Sequence, residues 1–252
     1  MLRNKTLLTL ALLAVALVAC KTTSYTLTNY SSTAIAIDAS TDRLANADYL
    51  AYLEPIKQNV DAQMNVVIGQ VAVDMRAHKP ESLLSNFSAD AYLATARKYS
   101  TEPVHIAVVN LGGLRTQVPK GDFTMRKAFE LMPFENELVL LWLKGSDVLE
   151  LLDGFAAVGG QGVAGLSMTI KDAKAQNILI GGKALDLEAT YCICTNDYLA
   201  KGNDNMPALT KNIKREDTSI KVRDLLINYV KAETAAGRAI EPKLDGRIVV
   251  AP

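Results

Sequence analysis

The sequence predicts an α/β domain with mixed sheets and flanking helices. Two observations carry that expectation: some segments repeat apolar residues at three- and four-residue steps, whereas others alternate or run apolar without a break. A third is their order. Helices and strands follow one another irregularly, with consecutive strands in the third quarter, which favours a mixed sheet over repeated βαβ units. A hydrophobic content of 49% is enough to fill a core.

The first nineteen residues are expected to be cleaved, not folded. Arg3 and Lys5 precede an apolar run from Leu7 to Ala19, broken only by Thr9, that ends at Leu17-Val18-Ala19-Cys20. The run falls short of the about 20 apolar residues a spanning helix needs. It reads as a signal peptide (1–19) ending in a lipobox, with Cys20 as the lipidation site. Lys21, in place of an aspartate, argues against retention on an inner membrane, so the expected location is a bacterial membrane, most simply the outer one, facing periplasm or cell surface.

Residues 20–42, rich in Ser, Thr and Asn, read as a lipid-anchored tether, with an early strand over Ala34 to Asp38; residues 43–252 read as one domain. Leu44 to Asn65 reads as a helix with Tyr49, Leu53, Ile56, Val60 and Met64 on one face, kinked at Pro55. Val66 to Val73 reads as a strand. Pro80 is expected to open a helix fading at Lys98, with an apolar face of Leu84, Phe87, Ala91 and Ala94. Val104 to Val109 is a strand whose apolar end suits burial on both faces.

After a loop, Glu137 to Leu143 is a strand, followed by a helix with Ser146 as N-cap and Val158 as its end. Ser167 to Lys171, Ile178 to Ile180 and Thr190 to Thr195 add strands. In the last of these Cys192 and Cys194 share a face, as buried thiols. Cys-x-Cys lacks the further ligands of a zinc site. A long helix from Thr218 to Gly237 and a strand from Arg247 to Val250 close the chain.

Charge excludes one class of partner. The 27 Lys and Arg balance the 27 Asp and Glu and are scattered, unlike the footprint of a nucleic-acid binder, so a small molecule is the expected ligand.

Three segments could carry chemistry. Asn110-Leu111-Gly112-Gly113-Leu114-Arg115 follows the buried strand, where open α/β sheets bind ligands. Gly112 and Gly113 allow close approach to the backbone, Arg115 offers a planar fork, and Asn110 offers donors and an acceptor. Leu131-Met132-Pro133-Phe134-Glu135-Asn136 precedes a strand, and Asn196-Asp197-Tyr198-Leu199-Ala200-Lys201-Gly202-Asn203-Asp204 follows one. Taken alone, these could equally be a tight bend with a surface arginine, two core aromatics and a turn aspartate.

Their order and spacing resemble the C-terminal, substrate-binding domain of the 5′-nucleotidase/UDP-sugar hydrolase family. Glu81-Ser82-Leu83-Leu84-Ser85-Asn86 and Gly181-Gly182-Lys183-Ala184-Leu185-Asp186 add to the match. The resemblance implies an α/β/β/α layering. It also implies that Phe134 and Tyr198 sandwich a base, that Asn110 and Arg115 hydrogen-bond it and its neighbours, and that Asp204 holds ribose hydroxyls. Stacking suits many bases, at roughly 1–3 kcal/mol each. The chain departs from the pattern at Pro80, Asn203 and Met206, which puts phosphate grip and pocket shape in question.

In that family, hydrolysis belongs to a metallophosphatase domain with two metal ions. Its Asp-x-His, Gly-Asn-His-Glu and Gly-His-x-His motifs do not occur here, the only histidines being His78 and His105. No catalytic or metal-binding residue and no cofactor is therefore assigned to this chain; divalent metals are expected only on a partner. The expected role is nucleotide or nucleoside recognition within a split 5′-nucleotidase, completed by a separate metallophosphatase subunit. The other readings are a ligand-capturing lipoprotein without catalysis and a scaffold that has lost its pocket.

Overall fold

A computed structural model describes residues 24–41 and 46–251. The expected signal peptide, Cys20 and part of the tether lie outside the described residues. The chain divides into two units at Tyr52/Leu53. Residues 24–37 have no regular structure and are exposed. The strand expected at Ala34 to Asp38 does not form: among the described residues no strand pairs with it. Asp38 instead closes a turn, accepting from the Ser40 and Thr41 backbone N–H groups.

Helix α1, Ala47–Met64, carries Pro55 in its interior and buries none of its residues. Its apolar period is real, but Tyr49, Tyr52, Ile56 and Val60 remain exposed.

Strand β1, Val67–Val71, pairs antiparallel with β3, Gly121–Thr124. Between them lie helix α2, Leu83–Tyr99, and strand β2, Ile106–Val109. Pro80 does not open α2: Ser82 is its N-cap and exchanges hydrogen bonds with Ser85 in a capping box. Helix α3, Met125–Leu131, starts straight after β3 with Thr124 as cap, where the sequence predicts a loop.

Strand β4, Glu137–Lys144, runs directly into helix α4, Gly145–Ala157. Ser146 is therefore inside the helix. The unpaired amides of its first turn are met by a neighbouring loop, with Gly145 N–H donating to Ala189 O and Ser146 N–H to Leu187 O. That loop passes so close that a Cβ on Gly145 would lie 1.9 Å from Asp186 O.

Strands β5 (Gly162–Ala164), β6 (Leu166–Lys171), β7 (Lys174–Ile180), β8 (Lys183–Ala184) and β9 (Thr190–Asn196) follow. Residues 214–221, expected in part as helix, are instead strand β10, Lys214–Lys221; helix α5, Val222–Ala235, and strand β11, Ile248–Val250, complete the chain. Strand β10 forms an edge of its sheet, which explains its charged sequence.

The five-stranded sheet has the order β10-β4-β9-β2-β5, with β2 and β9 parallel and the other pairs antiparallel. The second sheet, β11-β6-β7-β8, also mixes parallel and antiparallel pairs. Alternation along β4 divides the core. Leu138, Leu140 and Trp142 join Cys192 and Cys194 against α2 and α5, while Val139, Leu141 and Leu143 join α4 and the second sheet. Both thiols are free and fully buried, as expected from their spacing. The fold is thus mixed α/β, with two mixed sheets and flanking helices.

Candidate functional site

Strand directions bring the three motif segments together. Because β2 and β9 are parallel, Asn110 and Asn196-Asp197-Tyr198 leave the central sheet at the same edge. Strand β4 is antiparallel to β9, with Leu138 opposite Asn196, so its entrance, Phe134-Glu135-Asn136, lies at that edge too. The result is a pocket of about 690 Å³ lined by Asn110, Gly112, Gly113, Arg115, Phe134, Tyr198 and Asp204, with Met132, Glu135, Asn136 and Asn196. All seven residues singled out for small-molecule contact thus face one cavity.

The polar floor is tied together. Asp204 accepts from Asn110 Nδ2 at 2.6 Å and from the Tyr198 hydroxyl at 2.8 Å. This uses two of the roughly four lone-pair positions of a carboxylate, leaving capacity for two ligand hydroxyls. Donation to Asp204 raises the Tyr198 pKa above the ordinary tyrosine value. Asp204 sits at φ 53°, a left-handed conformation that aspartate tolerates better than most residues. Asn203, a departure from the family pattern, closes the turn by donating from Nδ2 to Tyr198 O at 2.8 Å. Met206, another departure, is buried in the core beside α4 rather than in the pocket.

The glycine turn is a single 3-10 turn over Leu111–Gly113. A Cβ at Gly113 would lie 2.8 Å from Asn110 Oδ1, so glycine leaves room for the asparagine side chain. Arg115 donates from Nη1 to Gly112 O at 3.0 Å, and its Cζ lies 5.9 Å from the centre of the Phe134 ring. Phe134 and Tyr198 are 45% and 40% exposed, which leaves ring surface available to a ligand. That exposure argues against the alternative of simple core packing.

Sequence reasoning missed the groups that brace these loops. Gln161 Oε1 accepts from Leu111 N–H at 3.0 Å. Arg223, buried at the start of α5, stacks 4.0 Å from the Phe129 ring and donates to Glu135, fixing the loop that carries Phe134. Asp197 Oδ1 accepts from Asn136 Nδ2 at 2.8 Å and from Glu137 N–H at 3.1 Å. Burial opposes its charge, but these bonds and Lys201 hold its pKa below the usual carboxylate value. Asn136 was visible in its motif; Gln161 and Arg223 gave no local signal.

His105 Nδ1 accepts from Cys192 N–H at 3.0 Å, which commits that ring to the sheet, and its pKa is lowered by burial and by Arg97. His78 is exposed elsewhere. Among the described residues no three His, Cys, Asp or Glu side chains are grouped to hold a metal.

Fold and pocket together define a mixed α/β domain with a candidate ligand pocket at one end of its central sheet. The family is specific: residues 67–211 match the 5′-nucleotidase C-terminal domain, and the chain belongs to that family. It is 28% identical over 195 residues to a 5′-nucleotidase of Vibrio cholerae, covering 73% of this chain and 34% of that protein. A trifunctional nucleotide phosphoesterase of Bacillus subtilis is 29% identical over 233 residues, covering 84% of this chain and 16% of that protein. The crystal structure of a 5′-nucleotidase precursor from Thermus thermophilus superposes with a TM-score of 0.69 at 30% identity, covering 81% of this chain and 43% of that one. The chain thus spans less than half the length of each of these relatives.

Proposed function

We propose that this domain recognises the nucleoside part of a nucleotide and presents it to a metallophosphatase carried on a separate chain, the two forming a split 5′-nucleotidase. Phe134 and Tyr198 clamp the base, Asn110 and Arg115 hydrogen-bond it and its surroundings, and Asp204 accepts from the ribose hydroxyls. The observation that carries this reading is the pocket itself: residues from three distant segments of a family member line one cavity that offers two exposed rings, a guanidinium and a carboxylate. Bond cleavage is assigned to the partner because the two histidines here cannot assemble a two-metal centre. Cys20 anchors the domain to a bacterial membrane, the outer one, through lipid. Among the described residues no helix is long and apolar enough to cross a membrane.

The test is phosphate release from a nucleoside monophosphate by the full chain alone, by a metallophosphatase partner alone, and by the mixture. A gain on mixing that Phe134→Ala abolishes supports the proposal. Equal release by this chain alone refutes it.

A further inference from the structure

We infer that Arg223 is a positioning residue for ligand binding: from the start of helix α5 its guanidinium holds the chain on both sides of Phe134 and so sets that ring for the base. The inference rests on the base-clamp reading above and concerns how one of the two rings is kept in place.

The two rings are held by different means. Tyr198 is fixed through its own tip, its hydroxyl donating to Asp204 at 2.8 Å. Phe134 has no polar tip, is 45% exposed and belongs to neither hydrophobic core cluster. The Arg115 guanidinium, 5.9 Å from its centre, stands at the outer limit of a cation–π contact and is itself exposed. The position of the Phe134 ring therefore depends on the backbone that carries it.

That backbone is gripped from α5 and from the end of β10. Arg223 Nη2 donates to the carboxylate of Glu135, one residue after Phe134, and Nη1 reaches Pro133 O, one residue before it, at 3.5 Å. Lys221 Nζ adds a bond to Glu135 O at 3.2 Å. The Arg223 side chain is only 10% exposed, and its Cζ lies 4.0 Å from the centre of the Phe129 ring. Among the described residues, its two hydrogen bonds both go to this loop, and its buried Nε has no partner. Such a group is a poor device for stability alone, because the cost of taking a charge out of water can exceed what pairing returns. What it supplies is geometry: a planar fork can reach the residues on both sides of the ring at once, whereas the point charge of a lysine holds one of them. Without that grip the loop would have to be ordered by the ligand, and the ordering cost would appear as lost affinity.

Calorimetric titration of the full chain in detergent with adenosine is expected to show Arg223→Lys weaker by roughly threefold to tenfold, the equivalent of ordering one loop side chain on binding. In a Phe134→Ala background the same substitution should change affinity by less than about twofold, because the ring through which it acts is gone. The ring is also read without ligand, by fluorine NMR of protein labelled with para-fluorophenylalanine, whose signals belong to Phe87, Phe123, Phe129, Phe134 and Phe155 and are assigned by single Phe→Leu substitutions. Arg223→Lys should shift the Phe134 signal towards that of the unfolded chain. Phe87, Phe123 and Phe155, all buried, should keep theirs, which separates loss of positioning from loss of fold. Glu135→Gln removes the charge partner at an exposed side chain, leaves the core untouched and should shift the Phe134 signal in the same direction. A Phe134 signal unmoved in both variants, or a loss of affinity from Arg223→Lys that is equal with and without Phe134, overturns this inference and leaves the clamp standing. Binding unaffected by Phe134→Ala, or absent in every protein, overturns the base-clamp reading and this inference with it.

Discussion

Asn110 and Asp204 are 94 residues apart in sequence, yet Asn110 Nδ2 donates to Asp204 Oδ2 across 2.6 Å. That bond joins the turn after β2 to the turn after β9, so the pocket floor is one connected unit. Asp204 is at once a candidate ligand contact and the strut that orients Asn110 and Tyr198. Asp204→Ala is expected to weaken nucleoside binding by more than one lost hydrogen bond, roughly 1.5–3 kcal/mol for a charged acceptor. Comparing adenosine with 2′,3′-dideoxyadenosine by calorimetry checks this, since the variant should lose most of the discrimination between them.

The same strut gives a pH dependence. Asp204 raises the Tyr198 pKa by favouring the protonated phenol, so its contribution is complete below the ordinary tyrosine value of about 10 and fades as pH rises through the higher folded value. Difference ultraviolet titration against Tyr198→Phe should show this tyrosine ionising later than a free one. In Asp204→Ala its titration should shift back down.

The cysteines of β9 are expected to be inert in the folded chain. Burial pushes the Cys192 thiol up to about 12, and burial also raises that of Cys194. In a Cys20→Ser background, iodoacetamide at about pH 8 should leave both unmodified until denaturant is added. Because the folded values are raised, stability should decline as pH climbs past about 8.5, where the unfolded thiols ionise.

Gly113→Ala separates site from fold. The added Cβ would meet Asn110 Oδ1 at 2.8 Å, displacing the tip of a side chain that lines the pocket and bonds Asp204. The melting temperature should change little, while nucleoside affinity drops by about tenfold or more. Gly145→Ala is the converse: its Cβ would strike the Asp186 backbone at 1.9 Å, so a loss of about 1–3 kcal/mol in stability is expected by denaturant melting.

Much of this architecture was legible because burial leaves a period. The apolar run Ile106–Val109 announced a strand covered on both faces, and the Cys192/Cys194 alternation announced a face turned to the core. The elements that escaped are those whose sequence reflects exposure. Of β3 only Phe123 is buried, and β10 carries its charges on a sheet edge, so neither shows the pattern of an interior strand. The α1 face showed the opposite problem, being periodic yet exposed. At the site, the motif residues could be found one segment at a time. What joins them, such as Gln161 on Leu111 or Arg223 on Glu135, depends on tertiary contacts that have no local spacing.

The most direct measurement is calorimetric titration of the full chain with adenosine, beside Phe134→Ala and Tyr198→Ala. The account requires saturable binding, with each variant weaker by roughly 1–3 kcal/mol, the value of one stacked aromatic face. Binding of equal strength in all three proteins, or none in any, would contradict the aromatic clamp.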